Sequence, residues 1–141
     1  MKIKNYTSEQ APEKSILEIE KLLVGAGATT INKFYEAGQC AGFMFSLPIN
    51  GSSMLFKMPV QTARIYEQMY REAKTKDREK IRMQAERTGW KTLLEWVHIN
   101  LNLVQLQQAE PLQIFLPYVY DAASNKTLYE RASEGQIKLI G

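Results

Sequence analysis

The sequence predicts a single α+β domain spanning residues 1–141, and three observations support this prediction. Apolar residues recur at helical spacing near the N-terminus and again from residue 65 to residue 104. Between these stretches, residues 29–58 form short runs that are rich in β-formers and are separated by turn signals. The composition, 45% hydrophobic and 23% charged, is ordinary for a globular chain long enough to bury a core.

The first helix is predicted from Pro12 onwards. Proline suits the first helical turn, and Glu13 lies where the positive end of the helix dipole favours an acid. Three apolar residues then recur at helical spacing: Ile16, Ile19 and Leu23. Gly25 and Gly27 are typical of a C-terminal cap. Because these glycines follow a helix instead of a strand, we do not interpret them as a phosphate-binding loop.

A meander of three strands, predicted to be antiparallel, follows the helix. The strands are residues 29–35, 40–47 and 54–58. Residues 36–39 form the first turn, and Asn50-Gly51 is a strong signal for the second. We expect Pro48 to make this second loop longer than a minimal hairpin. A small antiparallel sheet is the simplest structure for such a pattern.

The longest helical region begins after Pro59. An apolar stripe near its start is formed by Ile65, Tyr66, Met69, Tyr70 and Ala73. Between Lys74 and Arg82 this stripe thins, which predicts a solvated or projecting segment. Thr88-Gly89 is the predicted break, so two long helices hinged at this point are expected. After the break, apolar residues recur at intervals of three and four: Trp90, Leu93, Leu94, Val97, Leu101 and Val104.

The C-terminal part is predicted to form a β-hairpin. Residues 114–120 are its first strand, 121–126 its turn and 127–130 its return strand. Residues 136–140 are apolar enough to pack but show no clear period. The predicted core draws on the helices and the meander: Ile16, Ile19, Leu23, Phe43, Phe45, Phe56, Leu94, Val97 and Leu101.

The positive charge of the chain is concentrated in residues 64–91, which we call the basic segment. It contains nine Lys or Arg and five Asp or Glu, whereas the rest of the chain contains nine and ten. The formal charge of +3 therefore comes from this segment alone. Its bases are Arg64, Arg71, Lys74, Lys76, Arg78, Lys80, Arg82, Arg87 and Lys91.

Two interpretations of the basic segment remain open. A charged helical run is commonly a solvated face, and several acids here have the i,i+4 spacing of surface ion pairs. Alternatively, the nine bases are candidate nucleic-acid-binding residues. Three of them fall along one face of a helix, where they can contact phosphates spaced along a strand: Arg71, Lys74 and Arg78. Trp90 is a tenth candidate because an exposed indole stacks on bases, although its apolar spacing favours a core position.

The reactive residues of the chain argue against an enzyme, a cofactor site and a metal site. A structural zinc site needs about four Cys or His ligands, and the chain has one of each, Cys40 and His98. No serine or acid accompanies His98 in a catalytic motif, so we expect a helical histidine at the edge of the core. Cys40 lies in an alternating strand and is expected to be a small buried residue. Catalysis by groups too dispersed to form a motif is left open.

The chain is expected to be cytoplasmic and to have no membrane partner. Its apolar runs are far shorter than the ~20 residues that span a bilayer. The N-terminal sequence MKIKNYTSEQ has basic residues but lacks the apolar region of a secretory signal. The single cysteine cannot form an internal disulfide, so nothing indicates an oxidising compartment.

Four stretches of the chain carry a family likeness: NYTS at 5–8, EKSILEIEKLL at 13–23 with Gly27-Ala28, the helix with Arg87, Trp90, Lys91 and Leu93-Leu94, and FLPYVYDAASNKTLYE at 115–130. Together with the short meander, they resemble a family of small uncharacterised proteins encoded by phages and prophages. The resemblance implies a mobile-element origin, and hence action in the cytoplasm of a host cell. It implies no particular activity.

Two classes of non-catalytic function follow. The first is a mobile-element binding protein that contacts nucleic acid or a nucleoprotein through the basic segment. The second is a protein–protein module that inhibits a host bacterial defence complex, which is an inference by association with phage genomes. We also expect a homo-oligomer, because Trp96, Leu103 and Leu106 lie off the main apolar stripe of their helix.

Overall fold

A computed structural model describes residues 3–74, 77–135 and 137 of the chain. It confirms the predicted α+β class, with an N-terminal helix, a three-stranded meander, a long helix and a C-terminal two-stranded hairpin. The elements in chain order are α1 (Pro12–Gly25), β1 (Thr30–Glu36), β2 (Gln39–Ile49), β3 (Ser52–Pro59), α2 (Thr62–Glu72), α3 (Arg78–Gln105), α4 (Pro111–Phe115), a 3₁₀ turn (Leu116–Tyr118), β4 (Tyr120–Asp121), β5 (Lys126–Thr127) and α5 (Leu128–Ser133).

The chain divides into two compact units. Unit 1 comprises Met1–Leu22 and Val60–Ile99, and unit 2 comprises Leu23–Pro59 and Asn100–Gly141. The organisation of the chain as one domain stays a prediction.

The N-terminal segment of unit 1 is held against α3 by hydrogen bonds. The Thr88 hydroxyl donates to the carbonyl oxygen of Asn5 at 2.9 Å, and Gln84 Nε2 donates to the carbonyl oxygen of Ser8 at 3.0 Å. The side-chain amide of Asn5 in turn donates to Glu95 Oε2 at 3.2 Å. The first two bonds provide partners for backbone carbonyl groups that lie outside helices and sheets.

The helical region of unit 1 is interrupted at a different place from the one predicted. α3 runs without a break through Thr88-Gly89, so the predicted hinge at this dipeptide is wrong. The interruption lies between Glu72, where α2 ends, and Arg78, where α3 begins. A Cβ atom on Gly89 would lie only 2.8 Å from Ile65 Cδ1. Gly89 therefore allows α2 to approach α3 closely. A glycine within a helical pattern can serve such close packing instead of marking the end of a helix.

The core of unit 2 is built on the antiparallel sheet β1-β2-β3. Phe45 on β2 lies opposite Ile31 on β1 and Phe56 on β3. The rings of Phe45 and Phe56 stack with their centroids 5.3 Å apart, and the ring of Phe115 meets Phe45 edge-on at 5.2 Å. All three phenylalanines are fully buried. Such aromatic contacts add to the hydrophobic stabilisation of the core.

Both turns of the meander are two-residue hairpins. Ala37-Gly38 joins β1 to β2, and Asn50-Gly51 joins β2 to β3, with positive φ at all four residues, as a type I′ turn requires. The expectation that Pro48 lengthens the second loop is wrong, since Pro48 lies in β2 opposite Ser53. The β1 pairing ends at Ser46, so the missing N–H of Pro48 removes no ladder bond on that side.

The first helix ends as predicted, in a C-terminal cap. The backbone N–H of Ala28 donates to the carbonyl of Leu23 at 3.0 Å, and that of Gly27 donates to Val24 at 3.0 Å. With Gly27 at φ 102°, these two bonds form a Schellman motif. The glycine pair therefore terminates a helix.

The C-terminal part differs from the prediction in its first strand. Residues 114–118 lie in α4 and the 3₁₀ turn, and the hairpin is limited to the two residue pairs of β4 and β5. Pro111 at the start of α4 and a capping box between Glu110 and Gln113 favour the helix. The predicted return strand 127–130 is also wrong beyond Thr127, because Thr127 and Glu130 form the capping box of α5.

All nine residues predicted for the core are buried. Trp90, for which a core position was favoured, is also buried, and the core contains further apolar residues that were not predicted: Leu47, Met58, Ala85, Ile114 and Phe115. The predicted packing of residues 136–140 lies outside the described residues, apart from Ile137.

Candidate nucleic-acid interface

The described bases of the basic segment lie on three pieces of unit 1. Arg64 and Arg71 are exposed on α2, and Lys74 is exposed in the connection between the helices. The remaining bases lie on α3: Arg78, Lys80, Arg82, Arg87 and Lys91. Lys76 lies outside the described residues. The charge cluster therefore surrounds the interruption between α2 and α3.

The expectation that Arg71, Lys74 and Arg78 share one face of a single helix is wrong. α2 ends at Glu72, and Ala73 has the extended backbone angles φ −73° and ψ 138°. A single helix would require all three bases to lie in continuous helical backbone. Positioning of Arg78 near α2 instead comes from a ring contact, because its guanidinium carbon lies 5.7 Å from the ring centroid of Tyr70.

Tyr66 and Tyr70 form a stacked pair on α2, which we call the tyrosine pair. Their ring centroids are 5.8 Å apart with an interplanar angle of 30°. Both residues are half-buried, so part of each ring reaches the surface. Sequence reasoning assigned them only to the apolar stripe, although their i,i+4 spacing is the signal for such a pair. With Arg78 above Tyr70, the pair combines aromatic surface with a cation.

Arg82 differs from its neighbours because two glutamates on α3 pair with it. Its guanidinium forms ion pairs with Glu79 and Glu86, the latter at 3.3 Å. The hydrogen bond from Arg82 to the Glu79 carboxylate, followed by the charge of that carboxylate, raises the arginine pKa above its ordinary value. The positive charge of Arg82 is therefore balanced by carboxylates of its own helix, which is typical of a solvated charged face.

Trp90 occupies a core position. Its side chain is only 2% exposed, so the indole is buried and presents no face for a base. The core interpretation of Trp90 is thereby confirmed. Arg87 and Lys91, which flank it on α3, are half-buried. The candidate surface therefore centres on the helix interruption and does not extend to the tryptophan.

A mostly apolar hollow of about 360 Å³ lies in unit 1 beside the end of α2. Its polar wall includes Glu72, whose carboxylate accepts a hydrogen bond from Gln68 at 3.1 Å, and Gln84. The full lining is Ile3, Tyr6, Met69, Glu72, Ala73, Ile81 and Gln84. A hollow of this volume is in the range that accommodates a large side chain or a small molecule.

The remaining candidates for chemistry are Cys40, His98 and the carboxylates. Within residues 3–74, 77–135 and 137, no three His, Cys, Asp or Glu side chains are grouped in a way that would hold a metal ion. His98 is exposed on α3. Cys40 is half-buried, not fully buried as expected, and its sulfur lies 3.8 Å from the Gly42 carbonyl oxygen. Among these same residues, no helix is both long and apolar enough to cross a membrane.

Comparison with known proteins identifies no relative of this chain. The chain matches no family model, no curated protein and no solved structure. The resemblance to phage and prophage proteins therefore stays a prediction.

Proposed function

We propose that the protein is a non-catalytic binding protein of a phage or prophage, and that it contacts nucleic acid or a nucleoprotein in the host cytoplasm. The observation that supports this proposal is the cluster of exposed bases around the interruption between α2 and α3, next to the tyrosine pair. Phosphate binding depends on Lys and Arg that are accessible and uncompensated. Aromatic rings beside such bases are a common platform for unpaired nucleotides.

Several exposed bases of the basic segment have no carboxylate partner. Among the described residues, Arg64, Arg71, Lys74 and Lys80 are exposed and make no ion pair. They belong to both helices and to the connection, so they surround the tyrosine pair along the chain. Arg78 adds a fifth base that is already oriented by Tyr70. Contacts of this kind favour phosphates in general, so strong sequence preference is not expected.

Fluorescence anisotropy with labelled single- and double-stranded oligonucleotides at several salt concentrations tests the proposal. The double variant Arg71→Gln, Lys74→Gln should bind every sequence more weakly. It should also reduce the slope of log affinity against log salt by roughly two units, about one for each lost phosphate contact. The matched control, Lys14→Gln, Lys21→Gln, makes the same charge change at exposed positions of α1 and should leave the slope unchanged.

The apolar hollow supports a second candidate function, a protein–protein module that inhibits a host defence complex. A partner side chain inserted beside Met69 and Ile81 would bury apolar surface, which salt does not weaken. If no oligonucleotide binds at ~10 μM protein and reduced salt, a weak threshold even for non-specific contacts, the nucleic-acid proposal is wrong. The second candidate then leads, and Met69→Glu is the variant that tests it.

A further inference from the structure

The apolar hollow beside the end of α2 is built from three pieces of the chain, and every described residue that lines it belongs to unit 1. Helix α2 contributes Met69 and Glu72, α3 contributes Ile81 and Gln84, and the N-terminal turn contributes Tyr6. This turn is held in place by hydrogen bonds that its carbonyl oxygens accept from α3. The volume of about 360 Å³ suits a small flat ring system.

The side chains that line the hollow offer a ligand mainly hydrogen-bond acceptors. Both N–H groups of Gln84 are used, because Nε2 donates to the Ser8 carbonyl oxygen at 3.0 Å and to Thr88 Oγ1 at 3.4 Å. Gln84 therefore has an oxygen to offer, but no N–H. Glu72 has a carboxylate with about four acceptor sites, which can accept from a ligand in addition to its partners in the chain. Among the described lining residues, only the Tyr6 hydroxyl can also donate, so a ligand needs N–H donors.

The hollow is surrounded by positive charge. Three lining residues each have an exposed basic side chain as a sequence neighbour: Arg71 before Glu72, Lys74 after Ala73 and Lys80 before Ile81. These three basic side chains form no ion pair with any described residue. They would repel a cationic ligand, although the lining offers acceptors, and they would attract an anionic group at the rim. The ligand that fits therefore combines a neutral part that donates hydrogen bonds with an anionic part.

We propose that the hollow holds the guanine of an unpaired nucleotide, while phosphates of the same strand contact the surrounding basic side chains. This inference rests on the proposed nucleic-acid function. The pairing edge of guanine has two adjacent donors, a ring N–H and an amino group, and the two oxygens of the Glu72 carboxylate can accept from both. Adenine and cytosine have an acceptor nitrogen beside the amino group, and thymine and uracil have one N–H between two carbonyl groups. The carboxylate repels these acceptors, so guanine is the nucleobase that fits.

The apolar part of the lining matches the faces of the nucleobase. Met69 and Ile81 provide aliphatic surface, and Tyr6 provides an aromatic ring. Nucleobases gain binding energy when their faces pack on such side chains. An aliphatic side chain of a partner protein would cover the same surface but would bring no donor to the Glu72 carboxylate. A guanine nucleotide therefore accounts for the apolar lining, the acceptors and the surrounding charge together.

Fluorescence anisotropy with labelled single strands of about ten thymidines, a length within the usual size of single-strand sites, tests the inference on the full chain. The central thymidine is kept or is replaced by deoxyguanosine, deoxycytidine or deoxyinosine. The guanine strand should bind at least about fivefold more tightly than the thymine and cytosine strands, which is the low end of discrimination by a bidentate contact. The inosine strand should lie between them, because hypoxanthine keeps the ring N–H of guanine but lacks the amino group.

Two variants assign the guanine preference to the hollow. Glu72→Gln replaces a carboxylate oxygen by an amino group that opposes the guanine donors, and Ala73→Leu fills part of the hollow. Both should abolish the preference and still bind the thymidine strand. Glu67→Gln is the matched control, because Glu67 is an exposed acid of α2 outside the lining and its replacement makes the same charge change. It should keep the full preference. Circular dichroism melting checks that every variant is folded.

The thymidine strand separates the failure of this inference from the failure of the proposed function. If it binds and the guanine strand binds no more tightly, or if Glu67→Gln loses the preference as Glu72→Gln does, the guanine site is wrong and binding through the basic side chains stands. If no strand binds, the proposed function is wrong and the guanine site with it.

Guanosine monophosphate as a competitor distinguishes a strand from a free nucleotide as the ligand. A strand makes further contacts between its phosphates and the basic side chains, so the free nucleotide should compete only at far higher concentrations than the guanine strand. Equal potency of the two would overturn the assignment of a strand as the ligand of the hollow.

Discussion

Gly42 on β2 lies against the ring of Phe34 on β1, its partner in the sheet. A Cβ atom on Gly42 would lie 2.6 Å from Phe34 Cζ and 2.3 Å from the carbonyl oxygen of Met58. The register shifts immediately after this pair, because Phe34 pairs with Gly42 and Tyr35 pairs with Cys40. Ala41 is therefore the extra residue of a β-bulge, and Gly42 is the glycine that such a bend requires.

Replacing Gly42 by alanine should destabilise the protein by roughly 3 kcal/mol or more, because a backbone oxygen cannot move aside and φ is 153°. Gly38→Ala is the matched control, since Gly38 also has positive φ but nothing lies within 4 Å of its Cβ position. It should cost only about 1 kcal/mol. Chemical denaturation with both variants gives the comparison. Equal losses for the two variants would show that the close approach at Gly42 has no energetic role.

The end of α3 offers a stabilising substitution. Gln107 has φ 58°, its N–H donates to Val104 at 3.0 Å, and the N–H of Gln108 donates to Leu103 at 2.9 Å. This is the same Schellman motif that Gly27 forms after α1, but with a residue that has a Cβ atom. Gln107→Gly should therefore stabilise the fold by roughly 0.5–1 kcal/mol.

Thermal denaturation at low micromolar protein measures the effect of Gln107→Gly without a contribution from self-association. Gln105→Gly is the control, because Gln105 is the last residue of α3 and a glycine in helical backbone costs about 1 kcal/mol. The two substitutions should move the melting temperature in opposite directions. A loss of stability for both would mean that the left-handed residue after α3 does not carry the strain inferred from its φ angle.

Local signals were sufficient to predict α1, the positions of the two hairpin turns and the buried phenylalanines of the meander, although not the length of the second loop. The cap of α1 and the Asn50-Gly51 turn depend on a few adjacent residues, so the sequence contains the whole cause. The role of Gly89 is not determined by its neighbours in the sequence. A helical glycine is equally compatible with a break and with close packing, and only the position of Ile65, distant in the chain, decides between them.

The candidate interface was predictable in charge but not in geometry. The excess of bases in residues 64–91 can be counted from the sequence, and three bases without an ion pair among the described residues, Lys74, Arg78 and Lys80, lie where the apolar stripe thins. The contact of Arg78 with Tyr70 depends on the chain direction after Glu72, which no local pattern specifies.

The wrong prediction of a strand over residues 114–118 has a similar origin, because a short apolar run does not distinguish a strand from a buried helical turn.

The capping box of α5 predicts a pH dependence of stability. The backbone N–H of Thr127 donates to Glu130 Oε1 at 3.0 Å, and this bond is the main cause of the lowered pKa of Glu130. Because the folded pKa lies below the unfolded one, the stabilisation is present above the unfolded value, ~4.3. It is lost as the pH falls through the folded value.

The stability difference between the wild type and Glu130→Ala should therefore be constant near neutral pH and should shrink as the pH falls below the unfolded pKa and through the lowered folded pKa of Glu130. Urea denaturation at several pH values gives this difference. Glu134→Ala is the control for charge on the same short segment, since Glu134 pairs with Lys126 and takes no part in the box. A difference that does not change with pH would contradict the assigned role of the carboxylate.

Trp90→Ala separates the two roles that the sequence left open for this residue. Because the indole is buried, its removal should cost roughly 3–5 kcal/mol of stability, the usual loss for a large aromatic residue in a core. Oligonucleotide affinity, corrected for the folded fraction, should remain that of the wild type. A protein that keeps its stability but loses affinity would restore Trp90 to the binding surface.

Tyr70→Leu tests whether the tyrosine pair contributes to binding beyond its bases. Leucine keeps the apolar bulk and the helix propensity but removes the aromatic face that stacks on Tyr66 and lies beneath Arg78. Stacking on a base is worth about 1–3 kcal/mol and needs an unpaired nucleotide. Affinity for single strands should therefore fall at least about fivefold, while affinity for duplexes, whose bases are already stacked, should change less.

Tyr129→Leu is the control, because Tyr129 is 64% exposed on α5 in unit 2, and it should have no effect. Anisotropy titrations at one salt concentration, with melting curves for each variant, decide the point. Equal losses for single and double strands would assign the effect to the displaced Arg78 charge and not to stacking.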